Sequence, residues 1–242
     1  MDVKEYMKTT YSRYWISARE TKYGFSEYDR SLCALLLDHL PRRGRILEVA
    51  IGTGYRFAGY FEKAGYSVYG IDVSQELARK CRELYPSIGV QVADAENLPS
   101  KDLRFDATYC FHSTWYFPDL NRAIGEMIRV TKQGGFVLFD LMNAENPRIM
   151  QIVLDEKRQA GGITRSFNFL KDILKFILRY GMPQWHYVVH TFPARVQDVV
   201  KFLKNQGLTD CRLYETRENT LTLVAFAGNH REVERLVFVL KK

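Results

Sequence analysis

The run Arg45-Ile-Leu-Glu-Val-Ala-Ile-Gly-Thr-Gly54 constrains this chain more than any other stretch. Ile46–Ala50 reads as a short buried strand, and the glycines behind it read as a tight turn that opens a helix. Asp72 lies eighteen residues beyond Gly54, at the end of a second apolar run, Val68-Tyr-Gly-Ile-Asp72. A glycine turn lets a ligand approach the main chain, and a carboxylate ending the next strand can hold a ribose. The pair predicts a nucleoside-containing cofactor at the edge of a parallel sheet.

The turn also narrows the kind of nucleoside. A dinucleotide site needs a third glycine to pack its helix close to the strand. Counted from Gly52 that place falls on Phe57, and counted from Ala50 it falls on Tyr55, so the nicotinamide pattern is not met. No Gly-Lys-Ser/Thr follows, which excludes an ATP-binding P-loop.

The remaining sequence alternates in the same manner. Strands are expected at Ser67–Asp72, Ile88–Ala93, Phe105–Phe111 and Phe136–Met142. Helices are expected at Tyr55–Ala64, at Ser74–Tyr85 with Ser74 as its cap, and at Asp119–Thr131, stopped by Gly134-Gly135. Residues 1–44 read as a helical cap, with Ser31–Leu40 the clearest amphipathic piece, and 45–142 as the cofactor-binding core. Residues 143–194 read as an insert or lid with one long helical pattern, Phe167–Tyr180. A helix at Val196–Gln206 and two strands, Cys211–Glu215 and Leu221–Ala227, follow within 195–242. The expected architecture is one α/β domain. It holds a Rossmann-like, seven-stranded, mostly parallel sheet with a terminal antiparallel hairpin and helices on both faces.

Five segments in unbroken order resemble the class I S-adenosylmethionine-dependent methyltransferases. They are Ile46-Leu-Glu-Val-Ala-Ile-Gly-Thr-Gly54, Gly70-Ile-Asp72-Val-Ser, Val92-Ala-Asp94-Ala-Glu-Asn-Leu-Pro99, Phe105-Asp-Ala-Thr-Tyr, and Ile128-Arg-Val-Thr-Lys-Gln-Gly-Gly-Phe136. One departure stands out, because the family's first glycine is Ala50 here. The added methyl predicts a tighter turn rather than a lost site.

The resemblance implies S-adenosylmethionine as cofactor and S-adenosylhomocysteine as product. It implies that Asp72 accepts from the ribose hydroxyls, that Val73 lies on the adenine, and that Asp94 and the Ala95 amide meet the adenine edge. It further implies that Glu48 and the Phe111 carbonyl hold the methionine ammonium, while Ala50, Gly52, Thr53 and Gly54 carry the tail. Blander readings stand beside these: Asp72 as a helix-capping acid, Asp94 as a turn residue, and Glu48 as a buried acid that ties down loop amides. His112 is the candidate general base because it follows the fourth strand, and the alternative is a loop histidine with no proton-transfer role. Trp115 and Tyr116 are candidate acceptor walls, since ring faces attract cations. Tyr11, Tyr14, Trp15, Trp185 and His186 join them, with packing in the core as the alternative for each aromatic.

Lys171, Lys175 and Arg179 fall on one face of the 167–180 pattern, opposite a wide apolar surface. Such a helix can be a lid, a dimer contact or a contact with an anionic membrane. The favoured reading is a methyltransferase for a small organic acceptor, monomeric or homodimeric. A lipid or quinone at a membrane is the second, and a non-catalytic cofactor-binding module the third. The net charge of +7 is spread along the chain and no Asn/Asp-Pro-Pro-Tyr motif is present, which argues against nucleic acid. Four scattered cysteines without a CxxC pair predict reduced thiols in the cytoplasm, and no spacing of ligating residues predicts a metal site.

Overall fold

In the computed structural model, which describes residues 3–11, 16, 24–161 and 191–242, the alternation becomes one eight-stranded mixed sheet. Its strands are β1 (Arg45–Val49), β2 (Ser67–Asp72), β3 (Gly89–Val92), β4 (Phe105–Cys110), β5 (Thr131–Met142), β6 (Cys211–Arg217), β7 (Thr220–Val224) and β8 (Arg235–Lys241). They lie in the order β3-β2-β1-β4-β5-β8-β6-β7. The first five are parallel, and β8 runs antiparallel to both β5 and β6.

The sheet thus has one strand more than the seven expected. The expected hairpin forms as β6–β7, turning through Glu218 (φ 47°) and Asn219 (φ 68°), the mirror-image turn that matches strand twist. The added strand, β8, lies between that hairpin and β5. Its Leu236–Leu240 run is buried without interruption. A strand covered on both faces shows no alternation, so the period-two signal is missing from the sequence.

The helices are α1 (Val3–Tyr6, continued by a π-turn at Met7–Tyr11), α2 (Glu27–Leu37), α3 (Ala58–Lys63), α4 (Gln75–Leu84), α5 (Leu120–Val130), α6 (Pro147–Gly161) and α7 (Val196–Asn205). Neighbouring strand residues feed opposite layers. Leu47 and Phe238 pack with α5 and α7, through Ile124, Met127 and Val199. Ile46 and Val237 pack with α2, α3 and α4, through Leu36, Phe61 and Cys81. Helices therefore cover both faces. Side chains start three of them: Ser26 forms a capping box with Asp29 on α2, Ser74 accepts from Leu77 on α4, and Asp119 accepts from Arg122 on α5.

Several boundaries differ from expectation: α3 begins at Ala58 rather than Tyr55, β7 ends at Val224 rather than Ala227, and β5 begins at Thr131 rather than Phe136. Gly134-Gly135 does not end α5, which stops at Val130; the glycines form a bulge inside β5, where the register jumps from Thr131 to Phe136. A Cβ on Gly135 would lie 2.7 Å from the Asp106 carbonyl oxygen, so only glycine fits that close approach. In the 143–194 insert, Pro147–Gly161 is helical where no helix was expected. The 167–180 pattern lies outside the described residues. Chain order reverses between β2-β1 and β4-β5, so the sheet opens a crevice at the carboxyl ends of β1 and β4.

Candidate functional site

The turn after β1 forms the floor of that crevice. Ala50 (φ 61°), Gly52 (φ 59°) and Gly54 (φ 73°) are all left-handed. The glycines take this conformation freely, whereas the Ala50 methyl costs about 1–2 kcal/mol there. The turn is anchored by the Ile51 amide on the Ile71 carbonyl at 2.9 Å and by the Gly54 amide on the Ile51 carbonyl at 3.0 Å. Gly54 has a second reason to lack a side chain, because a Cβ there would lie 2.7 Å from Cys81 Sγ.

Asp72 ends β2 against this turn. Its Oδ2 accepts the Gly52 amide at 2.9 Å and its Oδ1 the Ser74 amide at 2.8 Å. Burial pushes its carboxyl up to about 6, and the two amides pull the other way. The capping role and an open acceptor role coexist, since each carboxylate oxygen keeps a second lone pair. Glu48, on β1, is buried and accepts from the Tyr109 hydroxyl at 2.8 Å. Burial pushes it up to about 8, against the Tyr109 hydroxyl and the Ala58 amide. It thus ties the start of α3 to the sheet while facing the crevice.

Asp94, beyond β3, turns the chain by accepting the Glu96 amide at 3.0 Å. Its other oxygen takes the Lys4 ammonium at 2.6 Å, and Lys4 also reaches Glu96 at 2.5 Å. Burial pushes the Asp94 carboxyl upward, but the Lys4 contact and the Glu96 amide outweigh it and hold it low.

His112 follows β4 with φ 59° and is fixed from four sides. Its amide donates to Asp140 Oδ1 at 2.8 Å, and its ring stacks on Phe57 with centroids 5.6 Å apart. Nε2 meets Asp29 Oδ1 at 2.7 Å, and Arg235 donates to Nδ1 at 2.6 Å. Asp140 Oδ2 lies 3.4 Å from the same Nδ1, so both ring nitrogens are engaged. Burial pushes Asp29 upward, yet the His112 bond and the Ser26 amide outweigh it and hold the carboxyl down to about 2.

One cleft brings together Glu48, Ala50, Gly52, Thr53, Asp72, Val73, Asp94, Ala95, Phe111, His112 and Tyr116. Gly54 lies behind the turn rather than in its lining. Trp115 faces a second cleft instead, which shares Arg56 and His112 with the first. Tyr14, Trp15, Trp185, His186 and the side chain of Tyr11 lie outside the described residues. No group of metal-ligating side chains occurs among the described residues.

Residues 47–139 match the family model described as a methyltransferase domain. Residues 47–139 thus carry a methyltransferase domain. Over 117 residues the chain is 32% identical to malonyl-[acyl-carrier protein] O-methyltransferase of Pectobacterium atrosepticum, covering 48% of this chain and 46% of that protein. It is 33% identical over 103 residues to phosphatidylethanolamine N-methyltransferase of Cereibacter sphaeroides, covering 40% of this chain and 50% of that protein. The chain spans about half the length of these curated relatives. Its fold is that of a solved S-adenosylmethionine-dependent methyltransferase from Thermotoga maritima, described as a possible histamine N-methyltransferase. The TM-score is 0.59 at 19% identity, over 99% of each chain.

Within the methyltransferase domain, the crevice walls Glu48, Asp72 and Asp94 sit at strand ends that follow recognisable runs. Lys4, Met7 and Arg56 line the same cleft without having been singled out, and Asp29, Asp140 and Arg235 fix His112 in the same unannounced way. Arg56 had one available signal, its place two residues beyond the glycine turn. The others come from segments far away in the chain and carry none.

Proposed function

We propose that the chain transfers a methyl group from S-adenosylmethionine to a small organic acceptor, releasing S-adenosylhomocysteine. The observation that carries this is the convergence of three carboxylates on one crevice, Glu48, Asp72 and Asp94, around a turn held open by left-handed residues. When bound, the cofactor supplies a methyl group activated by its sulfonium. The chain supplies the rest. Asp72 offers its spare lone pairs to the ribose hydroxyls, while Gly52 and Ser74 hold it in place. Asp94 and the Ala95 amide meet the adenine edge, with Val73 on its face. Glu48 and the Phe111 carbonyl hold the methionine ammonium, and Ala50 to Gly54 carry the tail.

Much of the rate in such a transfer comes from positioning and dehydration. Asp29 and Arg235 engage the two ring nitrogens of His112, so the imidazole serves as a fixed wall of the crevice. The relatives' names carry two different acceptors, malonyl-[acyl-carrier protein] and phosphatidylethanolamine, which supports reading the choice of acceptor from residues outside 47–139.

Calorimetry with S-adenosylhomocysteine tests the reading. Asp72→Ala should weaken binding about tenfold or more, as expected for charge-assisted hydrogen bonds to a buried carboxylate. Equal affinity in the variant would refute the assignment, and so would an absence of binding to the wild-type chain.

A further inference from the structure

A second cleft of about 920 Å³ opens beside the cofactor crevice. The two share Arg56 and His112, so the second begins where the first ends. Its volume suits a small organic molecule.

Arg235, from the start of β8, is the unusual group there. Its guanidinium lies 4.9 Å from the Trp115 ring centre and 5.7 Å from that of Tyr28. One guanidinium nitrogen lies 2.6 Å from His112 Nδ1. A guanidinium has five N–H donors, and most of these remain unused. No carboxylate of the described residues lies within ion-pair distance of it. The acids at hand are otherwise committed: Asp29 to His112 and Ser26, and Glu234 to Arg148. Asp140 takes the His112 amide at 2.8 Å and faces its Nδ1 at 3.4 Å. Glu218 and Glu232 also line the cleft. A half-buried cation flanked by two ring faces and lacking a paired anion has the form of a receptor for one. Ring faces hold the guanidinium plane, and its edge offers a bidentate fork.

We propose that this cleft is the acceptor site and that Arg235 anchors an oxyanion of the acceptor, a carboxylate or a phosphate ester, between Tyr28 and Trp115. This rests on the methyltransferase reading for what is transferred, though not for whether the anion binds. Arg235 is a binding residue here, and His112, locked between it and Asp29, sets the angle at which the anion faces the cofactor crevice.

The test uses three probes of one shape, benzoate, phenyl phosphate and benzamide, titrated into the full chain with and without S-adenosylhomocysteine. Benzoate or phenyl phosphate should bind at least about tenfold more tightly than benzamide, because both offer a charge to the guanidinium fork. Whichever of the two binds better identifies carboxylate or phosphate as the source. Arg235→Gln should abolish that preference, and Arg235→Lys should retain part of it, since lysine keeps the charge and loses the planar fork. Nuclear Overhauser contacts from the bound probe to the Trp115 indole locate the site in the wild-type protein, even if Arg235→Gln fails to fold. Equal binding of all three probes, a preference that survives in Arg235→Gln, or bound anion without Trp115 contacts overturns the proposal. S-adenosylhomocysteine binding is measured separately. Its failure would sink the cofactor assignment while the anion preference stays readable on its own.

Discussion

Single residues decide how tightly the crevice is built. Ala50 is the clearest case, an alanine held at φ 61° where glycine would be at ease. Ala50→Gly removes a left-handed penalty of about 1–2 kcal/mol but returns freedom to the unfolded chain worth ~0.4–1 kcal/mol. The net expectation is a gain of about 0.5–1 kcal/mol in urea unfolding; a loss would mean that the methyl makes compensating contacts. Glu48 gives a pH test. Its folded-state value, about 8, stands above the ordinary carboxylate value of 4.5 because burial favours the neutral acid. Between those values the folded state binds more protons than the unfolded state, so stability falls as pH rises from about 4.5 to 8. Glu48→Gln should flatten that part of the profile. A cofactor ammonium beside Glu48 favours the ionised form, so binding at pH 7 should release a proton. Calorimetry in buffers of different ionisation enthalpy would then give different apparent enthalpies, and identical ones would remove Glu48 from the ammonium site. Glu48 and Asp72 were legible in the sequence because each sits inside a contiguous strand–turn pattern. Lys4 and Arg235 were not, since their roles exist only once distant segments meet.

Among elements, the parallel half follows local rules and the rest follows tertiary ones. Strands β1 to β4 and helices α4 and α5 fall where periodicity and caps place them, because capping side chains such as Ser74 act within one turn of their own chain. The start of β5 at Thr131, five residues before the expected Phe136, is not legible locally, because the close approach of Gly135 to Asp106 is a sheet feature. Helix α1 reaches the site by tertiary contact alone. Lys4 bridges Asp94 and Glu96, and Met7 lines the cleft, so the N-terminal turns cover its Asp94 end. A partly exposed ion-pair network of this kind is worth about 1 kcal/mol. Lys4→Ala should therefore speed both association and release of S-adenosylhomocysteine by roughly threefold to tenfold in stopped-flow fluorescence. High salt should bring the wild-type rates toward those of the variant, because it screens the same contacts. Rates insensitive to both changes would show that α1 does not gate the crevice.

At the scale of the molecule, β8 joins the second cleft to the sheet. Its first residue, Arg235, stands in the second cleft and fixes His112, while its remaining residues knit the sheet. It pairs with β5 along Phe136–Met142 and with β6 along Cys211–Glu215, so among the described strands it is the one that hydrogen-bonds the β6–β7 hairpin to the parallel half. Leu236, Val237, Phe238, Val239 and Leu240 are at most 2% exposed and feed both core layers. Fully burying a side chain of this kind contributes about 1.5–3 kcal/mol, so the five together amount to on the order of 10 kcal/mol. That matches the whole net stability of a typical domain, about 5–15 kcal/mol. A chain truncated after Glu234 should then lose cooperative unfolding altogether rather than melt a few degrees lower, and the bared edge of β5 should drive it to aggregate. Differential scanning calorimetry and sedimentation would show this. A soluble truncated chain with a sharp transition would mean that the parallel half folds on its own, and that β8 serves the second cleft more than the sheet.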